Sequence, residues 1–148
     1  MPTLAVNKRA HFDYQISDKY EAGLVLQGGE VKSVRAGHIS LKESFVTLKD
    51  SEFFLTNAHI PFYKQAGKIK NYDPTRSRKL LLRKSEIKHL IGKLRITGLT
   101  LVPIRMYTKK RLLKLEFGIG KGKNKFDKRE DLKKKDANRD IQRALKAQ

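Results

Sequence analysis

The chain has 148 residues and carries 34 Lys or Arg against 15 Asp or Glu, a formal net charge of +19 with a sequence pI near 10.2. This length suits one globular domain with an extension. Because the chain has no cysteine, disulfides and thiolate metal sites are excluded. Such an excess of positive charge repels itself in a compact state, which predicts a polyanionic partner.

Positive charge is distributed along the whole chain. Residues 1–120 hold 23 basic and 10 acidic side chains, and residues 121–148 hold 11 and 5. The first 120 residues alone therefore have a net charge of +13. The N-terminal segment lacks the apolar stretch of a secretory signal, and no run has membrane-spanning length. We expect a soluble, cytoplasmic protein that does not contact a membrane.

The predicted elements begin with two strands and a short helix. Alternating large apolar residues predict a strand over residues 11–16, and a second strand is predicted over 22–27. The sequence EVKSVR (30–35) then predicts a short helix that Gly37 ends, with its two valines facing the core and its basic residues facing outward.

A hairpin and a loop follow. SFVTLK (44–49) and EFFLTN (52–57) are rich in β-branched and aromatic residues and are separated by an Asp-Ser pair, which predicts a tight hairpin. Residues 61–79 combine Pro, Gly and basic residues with few apolar ones, so we expect an exposed loop there.

The next segment predicts a helix and a second hairpin. Ser85 is expected to cap a helix that extends to Leu94, because apolar residues recur there at i, i+3, i+4 and i+7. LTLVPIRMY (99–107) and LLKLEFGI (112–119) predict paired strands, and Pro103 marks an edge or a bulge because it cannot donate to a ladder.

These elements favour a mainly β fold with helices. Six short strands and two helices within 120 residues are typical of an antiparallel sheet closed into a six-stranded β-barrel with flanking α-helices. The composition then changes, and we expect two parts: a barrel domain at 1–120 and a basic C-terminal tail at 121–148.

Enzyme chemistry finds little support in the sequence. The four histidines lie in different predicted elements without metal-ligand spacing: His11, His38, His59 and His89. GIGKGKN (118–124) resembles a phosphate loop but lacks its Gly-Lys-Ser/Thr ending, and no serine lies in a nucleophile elbow. We expect a protein that is not an enzyme and has no metal or cofactor.

Basic residues accompany the loop and turn signals in three places. They are Lys8 and Arg9 beside Asn7, Lys32 and Arg35 on the short helix, and Arg76, Arg78 and Lys79 in DPTRSRK. Gathered on one face they would bind phosphates, whereas scattered they would form an ordinary solvated shell. The three basic groups of DPTRSRK repel one another unless an anion lies among them.

Asn7 and Glu21 are unusual residues for a phosphate-binding surface. A carboxylate cannot approach phosphate, so Glu21 facing a nucleic acid would accept a hydrogen bond from a base amino group. The alternative is a surface ion pair, for example with Lys19. The residues alone leave both interpretations open.

Five blocks of the sequence together resemble one family. The blocks are NKRA (7–10), YEAGLVLQGGEVKSVRAG (20–37), DPTRSRKLLL (73–82), LIGK (90–93) and KGKNKFDKREDLKK (121–134). In this order and separation they resemble the SmpB (small protein B) family, whose members bind transfer-messenger RNA (tmRNA). The resemblance implies an oligonucleotide-binding-like (OB-like) topology for the barrel.

The resemblance also implies partners and a binding surface. The partner would be the tRNA-like domain of tmRNA, and the RNA face would comprise Asn7, Lys8, Arg9, Glu21, Arg76, Arg78, Lys79, Leu81 and Lys114. We add the outward basic residues of the short helix and of the tail start: Lys32, Arg35, Lys121 and Lys123. Arg and Lys would neutralise phosphates, Asn7 and Glu21 would bond base edges, and Leu81 would cover an exposed base.

The process implied is trans-translation. Family members accompany alanyl-tmRNA and elongation factor Tu with GTP to a stalled ribosome, where the protein fills the space of the missing anticodon arm. We expect a monomer. Sequence features alone fit a second class equally well, a structural ribosomal or general RNA-binding OB-fold protein.

The tail is expected to change state on binding. Charge pairs at i, i+4 and a narrow apolar stripe over 127–146 favour a helix that is marginal in water, so we expect disorder in the free protein. The resemblance implies a helix in the empty mRNA channel of the small subunit, about 30 Å long for 20 residues. The residues assigned there are Gly122, Phe126, Asp127, Lys128, Arg129, Lys133, Lys134, Lys135, Arg139 and Arg143.

Two positions of the tail depart from the family pattern. Phe126 stands where members often have His, so stacking on a decoding-centre base remains but ring hydrogen bonding does not. Ala137 stands where some members have Trp. Anchoring beyond residue 136 is therefore expected to be weaker.

Overall fold

The structure is a computed structural model that describes residues 2–64 and 71–123. In chain order its elements are β1 (Thr3–Val6), α1 (Ala10–Asp13), β2 (Tyr14–Leu24), α2 (Gly28–Arg35), β3 (Phe45–Lys49), β4 (Glu52–Thr56), β5 (Arg78–Leu81), α3 (Lys84–Leu94), β6 (Leu99–Lys109) and β7 (Leu112–Gly122). The prediction of a mainly β, antiparallel fold with helices is confirmed. Within these residues no helix has the length and apolar character needed to cross a membrane.

The strands form one antiparallel sheet. Its hydrogen-bonded order is β1-β6-β3-β4-β5-β2-β7, and β6 also pairs with β7. Pairing therefore returns to β6 after passing through six strands, and β1 adds to β6 from outside that cycle. The weakest connection is between β3 and β6, where Val46 pairs with Leu101.

The main core is shared by strands and helices. Its fully buried side chains come mostly from the strands, with Phe53, Leu55 and Phe117 among the largest. Helix α2 contributes Val34 and helix α3 contributes Leu90, so each helix buries one apolar stripe against the sheet. Full burial of side chains of this size stabilises the fold by roughly 1.5–3 kcal/mol each.

Both predicted hairpins are confirmed. β3 and β4 pair from Phe45–Thr56 to Lys49–Glu52, and the two turn residues Asp50 and Ser51 have φ values of 51° and 61°. Positive φ at both central residues is the type I′ geometry, whose twist matches that of the strands. The β6–β7 hairpin shows the same feature at its tip, and its register shifts between Pro103 and Arg105, the predicted bulge.

Two glycines lie where a side chain would be strained or would clash. Gly37 ends the α2 segment with φ +82°, the left-handed conformation that L side chains rarely adopt. A Cβ at Gly118 would lie 2.6 Å from the Ile16 side chain and 2.8 Å from the Asp18 carbonyl. β2 and β7 therefore approach closely where β2 has its irregularity, between Ile16 and Lys19.

The N-terminal predictions need correction. Residues 10–13 form a helical turn instead of a strand, because Arg9 and Asp13 form an i, i+4 ion pair at 3.1 Å and Ala10 is buried against Val102 and Ile104. The two strands predicted at 11–16 and 22–27 are parts of one strand, β2, which ends at Leu24, so residues 25–27 lie outside it.

Two further corrections concern residues 78–86. The predicted exposed loop over 61–79 ends earlier than expected, since Arg78 is fully buried and begins strand β5. Helix α3 is capped at Arg83 and not by Ser85, because the Glu86 carboxylate accepts a hydrogen bond from the Arg83 backbone N–H at 3.1 Å. β1 and β5 were not predicted; both are only four residues long.

Candidate nucleic-acid interface

A groove of about 690 Å³ lies where β2, β4, β5, β7 and the start of α3 meet. Four of the residues predicted to bind RNA line it together: Glu21, Lys79, Leu81 and Lys114. They come from three different strands. The antiparallel sheet thus brings together side chains that are as much as 93 positions apart in sequence.

The outward side of β5 supplies two of these residues. Strand alternation buries Arg78 and Leu80 and exposes Lys79 and Leu81. Leu81 keeps 52% of its surface exposed at the groove, so its apolar side chain is accessible to a base. Lys79 lies 3.3 Å from Glu52, with both side chains nearly half exposed, and solvent screening keeps this pair weak.

Glu21 lines the groove as an anchored carboxylate. The Tyr107 phenol donates a hydrogen bond to its Oε2, and Lys109 Nζ lies 3.4 Å from its Oε1. The hydrogen bond from Tyr107 lowers the pKa of Glu21, opposed by desolvation and aided by the charge of Lys109. The ion pair considered for Glu21 therefore exists, but with Lys109 instead of Lys19.

A second depression of about 300 Å³ adjoins the groove and shares Leu81 and Lys114 with it. Its wall includes Arg35, whose Nη2 donates to the Arg111 carbonyl at the β6–β7 turn. The predicted outward orientation of Arg35 and Lys32 is confirmed, since both are exposed on α2. Lys32 is not among the residues that line either depression.

Asn7, Lys8 and Arg9 lie on a different surface. The Asn7 amide is occupied within the protein, because Nδ2 donates to the Pro103 carbonyl at 2.8 Å and Oδ1 accepts from the Arg9 backbone N–H at 3.3 Å. Arg9 bonds Asp13 through Nε and Nη2 at 3.2 and 3.1 Å. Asn7 thus holds the chain after β1, and one N–H of Nδ2 and one lone pair of Oδ1 remain for a base contact.

Lys8 and Lys123 meet at this N-terminal surface, where both line one depression. Lys121 and Gly122 belong to strand β7, opposite Gln15 and Tyr14 of β2, so the sheet extends two residues past the boundary predicted at 120. Tyr14 and Glu21 are separated by about 23 Å along β2 at the usual strand rise. The predicted RNA contacts therefore divide between two surfaces.

The anion among the basic residues of DPTRSRK is Glu30. It is fully buried, and Arg78 reaches its Oε2 through Nε at 2.9 Å and Nη2 at 2.7 Å. Arg76 pairs with both of its oxygens, Tyr72 Oη lies 3.0 Å from Oε2, and the Gln27 N–H donates to Oε1 at 2.9 Å. We call these four side chains, Glu30, Tyr72, Arg76 and Arg78, the buried charge cluster.

The buried charge cluster corrects one predicted RNA contact. Arg78 has no exposed surface, and its guanidinium also donates to the Ala58 and Pro74 carbonyls at 2.7 and 2.9 Å. It cannot reach phosphate. Arg76 keeps 31% of its side chain exposed, while Nε and Nη2 bond Glu30 and Nη1 donates to the Ser77 carbonyl at 3.4 Å. Burial alone would raise the pKa of Glu30, but hydrogen bonds from Arg76, the Gln27 N–H and Arg78 outweigh it and lower the pKa.

Sequence reasoning missed several basic residues at these sites. Lys19 and Arg83 line the groove, Lys109 pairs with Glu21, and Lys42 lies with Asn7 and Arg9 beside the N-terminal surface. Lys19 could have been found, because it is two positions from Glu21 and strand alternation places both on one side. The other contacts depend on pairing between distant strands.

The remaining site predictions lie outside the described residues. They are Phe126, Asp127, Lys128, Arg129, Lys133, Lys134, Lys135, Arg139 and Arg143, together with the tail helix. The described ranges 2–64 and 71–123 contain no group of three or more His, Asp or Glu placed to hold a metal ion.

The chain is similar to known proteins along nearly its whole length. The model of the family "SmpB protein" matches residues 4–147. The SsrA-binding protein of Anoxybacillus flavithermus is 53% identical over 97% of this chain and 92% of its own length. For the SsrA-binding protein of Chloroflexus aggregans these values are 52%, 97% and 90%.

A solved structure described as "tmRNA-SmpB: a journey to the center of the bacterial ribosome" contains a similar chain. The TM-score is 0.66 at 43% identity, covering 86% of this chain and 92% of the other. This chain belongs to the SmpB protein family, because the family model matches nearly its whole length and its sequence is about 50% identical to those of the relatives.

Proposed function

We propose that this protein binds the tRNA-like domain of tmRNA and acts in trans-translation, the rescue of stalled ribosomes. Membership in the SmpB family, relatives named SsrA-binding proteins and a similar chain in a tmRNA-SmpB structure support this proposal. The observation that carries it for this chain is the groove, which gathers Glu21, Lys79, Leu81 and Lys114 on one surface.

The groove offers three kinds of contact that a folded RNA needs. Lys79 and Lys114 neutralise phosphates and make the affinity salt-dependent. The exposed Leu81 covers an unstacked base, and the Glu21 carboxylate accepts from a base amino group. Arg35 of the adjoining depression and Arg76 at the edge of the buried charge cluster extend the positive surface.

The cyclic strand pairing supports an OB-like barrel. Six strands pair in succession and return to β6, which is the arrangement that closes a sheet and removes its edges. OB folds present one strand face and its loops to nucleic acid. In this proposal the groove on β2, β4, β5 and β7 is that face.

We propose a second role for the C-terminal residues. The body grips tmRNA, and the basic tail enters the empty mRNA channel, where ribosomal RNA phosphates cancel the repulsion among its lysines. Phe126 stacks at the decoding centre in this proposal. Because the described β7 extends to Gly122, we place the boundary between the two parts after that residue in this proposal.

The remaining partners follow from the family process. The protein acts as a cytoplasmic monomer without catalytic function and reaches the ribosome with alanyl-tmRNA and elongation factor Tu bound to GTP. It fills the space that an anticodon arm occupies in a tRNA.

A competition measurement tests the proposed function. Full-length protein is bound to labelled tRNA-like domain and challenged with unlabelled tRNA-like domain, tRNA or a ribosomal RNA fragment at two salt concentrations. We expect the tRNA-like domain to compete best at both, because base and shape contacts are less salt-sensitive than phosphate contacts. Equal competition by all three RNAs at the higher salt would instead indicate a general RNA-binding protein.

A further inference from the structure

Tyr107 bonds the groove carboxylate from inside the protein. Its phenol donates to Glu21 Oε2, yet only 2% of Tyr107 is exposed, so the ring cannot contact a bound RNA itself. Tyr107 lies on β6, paired with Lys114 of β7 on one side and with Thr3 of β1 on the other. It is therefore fixed between two neighbouring strands.

A cation holds the Tyr107 ring in place. The Arg105 guanidinium carbon lies 4.3 Å from the ring centroid, and Arg105 Nη2 lies 3.5 Å from Glu116 Oε2. Glu116 is directly opposite Glu21 in the β2–β7 register. Two carboxylates at this spacing would repel, so pairing Glu116 with Arg105 leaves Glu21 to Tyr107 and Lys109.

Titratable groups face Glu21 from three strands. β6 contributes Tyr107 and Lys109, β7 contributes Lys114 and Glu116, and β2 itself contributes Lys19. Positive groups dominate this set. An ionised carboxylate only accepts hydrogen bonds, so the arrangement specifies Glu21 as an acceptor at neutral pH.

We propose that Tyr107 is a positioning residue for RNA recognition, holding the Glu21 carboxylate at the groove so that its free lone pairs accept hydrogen bonds from an unpaired base. This inference rests on the proposed tmRNA-binding function. A carboxylate has about four lone-pair sites, and Tyr107 and Lys109 use two of them. The chemical class that fits the others is a base with an exocyclic amino group, namely guanine, adenine or cytosine.

The test compares RNA affinities of full-length variants at fixed salt. Tyr107→Phe removes one oxygen and should weaken binding to the tRNA-like domain about tenfold, since a hydrogen bond to a charged group is lost and the acceptor is no longer fixed. In a Glu21→Gln background the same substitution should have little further effect, because Tyr107 acts only through Glu21.

Tyr72→Phe is the matched control. It also removes a phenol next to a carboxylate, with Tyr72 Oη 3.0 Å from Glu30 Oε2, but Glu30 is fully buried and cannot touch RNA. We expect RNA affinity to stay within about twofold of the wild type. Thermal melts of both variants separate lost affinity from lost folding.

A titration supplies a readout that a purely structural role would not change. The Tyr107 hydrogen bond lowers the Glu21 pKa, so Tyr107→Phe should move the NMR titration of the Glu21 carboxyl carbon in the free protein to higher pH. Glu21→Asp is a second variant. It keeps the negative charge, but its side chain is one methylene shorter, so the carboxylate lies farther from the Tyr107 phenol. This variant should also weaken RNA binding.

The outcomes distinguish two failures. If the wild type shows no preference for the tRNA-like domain, the proposed function is wrong. If the wild type shows that preference while folded Tyr107→Phe or Glu21→Asp binds as tightly, the positioning role of Tyr107 is wrong. An unchanged Glu21 titration in Tyr107→Phe would also overturn it.

Discussion

Replacing Glu30 by glutamine should reveal how strongly the fold depends on one buried charge. Glu30 and Arg78 form a fully buried ion pair, and Glu30 forms a second ion pair with Arg76. The neutral amide keeps one acceptor but leaves Arg78 without a counter-charge. Removing one partner of a buried ion pair typically costs about 3–5 kcal/mol, and we expect about 3 kcal/mol because one acceptor remains. That is a large share of the roughly 5–15 kcal/mol that stabilises a domain.

The pH dependence of this loss has a definite sign. Burial alone would raise the Glu30 pKa, but hydrogen bonds from Arg76, the Gln27 N–H and Arg78 lower it below the usual range. A carboxyl whose folded pKa is depressed contributes stability above its unfolded pKa of about 4.3 and loses it as pH falls through the folded value. The stability difference between wild type and Glu30→Gln should therefore be largest near neutral pH and shrink in acid.

Urea unfolding followed by circular dichroism measures the effect. The matched control is Glu52→Gln, which breaks the 3.3 Å pair with Lys79, whose partners are 46% and 45% exposed. We expect less than about 1 kcal/mol for this control. A double variant, Glu30→Gln with Arg78→Met, should recover part of the loss because no charge is stranded. If Glu30→Gln costs no more than Glu52→Gln, the reasoning about the buried charge cluster is refuted.

Three further predictions concern RNA binding. Leu81→Ser should weaken binding to the tRNA-like domain by about five- to tenfold in a gel shift, since an apolar base contact is lost, whereas Ile96→Ser, equally exposed outside the groove, should not. Lys114→Met should reduce the slope of log affinity against log salt by about 1, because one phosphate contact is lost. Lys88→Met, at an exposed position on α3, is the control and should leave the slope unchanged. An unchanged slope in Lys114→Met would show that Lys114 does not contact phosphate. Replacing the three lysines at 133–135 by glutamate should leave tmRNA affinity nearly unchanged but slow peptidyl transfer to alanyl-tmRNA on stalled ribosomes, and a large loss of tmRNA affinity would contradict the proposed division of roles.

Local sequence patterns were sufficient to predict the two hairpins and the helices α2 and α3. The hairpins over 45–56 and 99–122 follow from strand periodicity and from turns that need only two residues. Helices α2 and α3 follow from their apolar spacing. The family resemblance of the sequence alone implies all four of the predicted RNA contacts that line the groove.

Long-range contacts decided what the sequence left open. The alternation at 12, 14 and 16 fits a strand, yet Ala10 is buried against Val102 and Ile104 of β6, and residues 10–13 form a helical turn. β5 has only four residues and depends on β2 and β4 for its hydrogen bonds. No periodicity signal arises from so short a segment.

The composition of the chain by itself predicted a polyanionic partner, because +19 charges repel one another whatever the fold. Only the tertiary structure decided which cations stay available to that partner. Arg78 is neutralised by Glu30 from 48 positions away, and Glu21 is anchored by Tyr107 from 86 positions away. Electrostatic pairing depends on distance in space, and the antiparallel sheet sets those distances by joining strands that are remote along the chain.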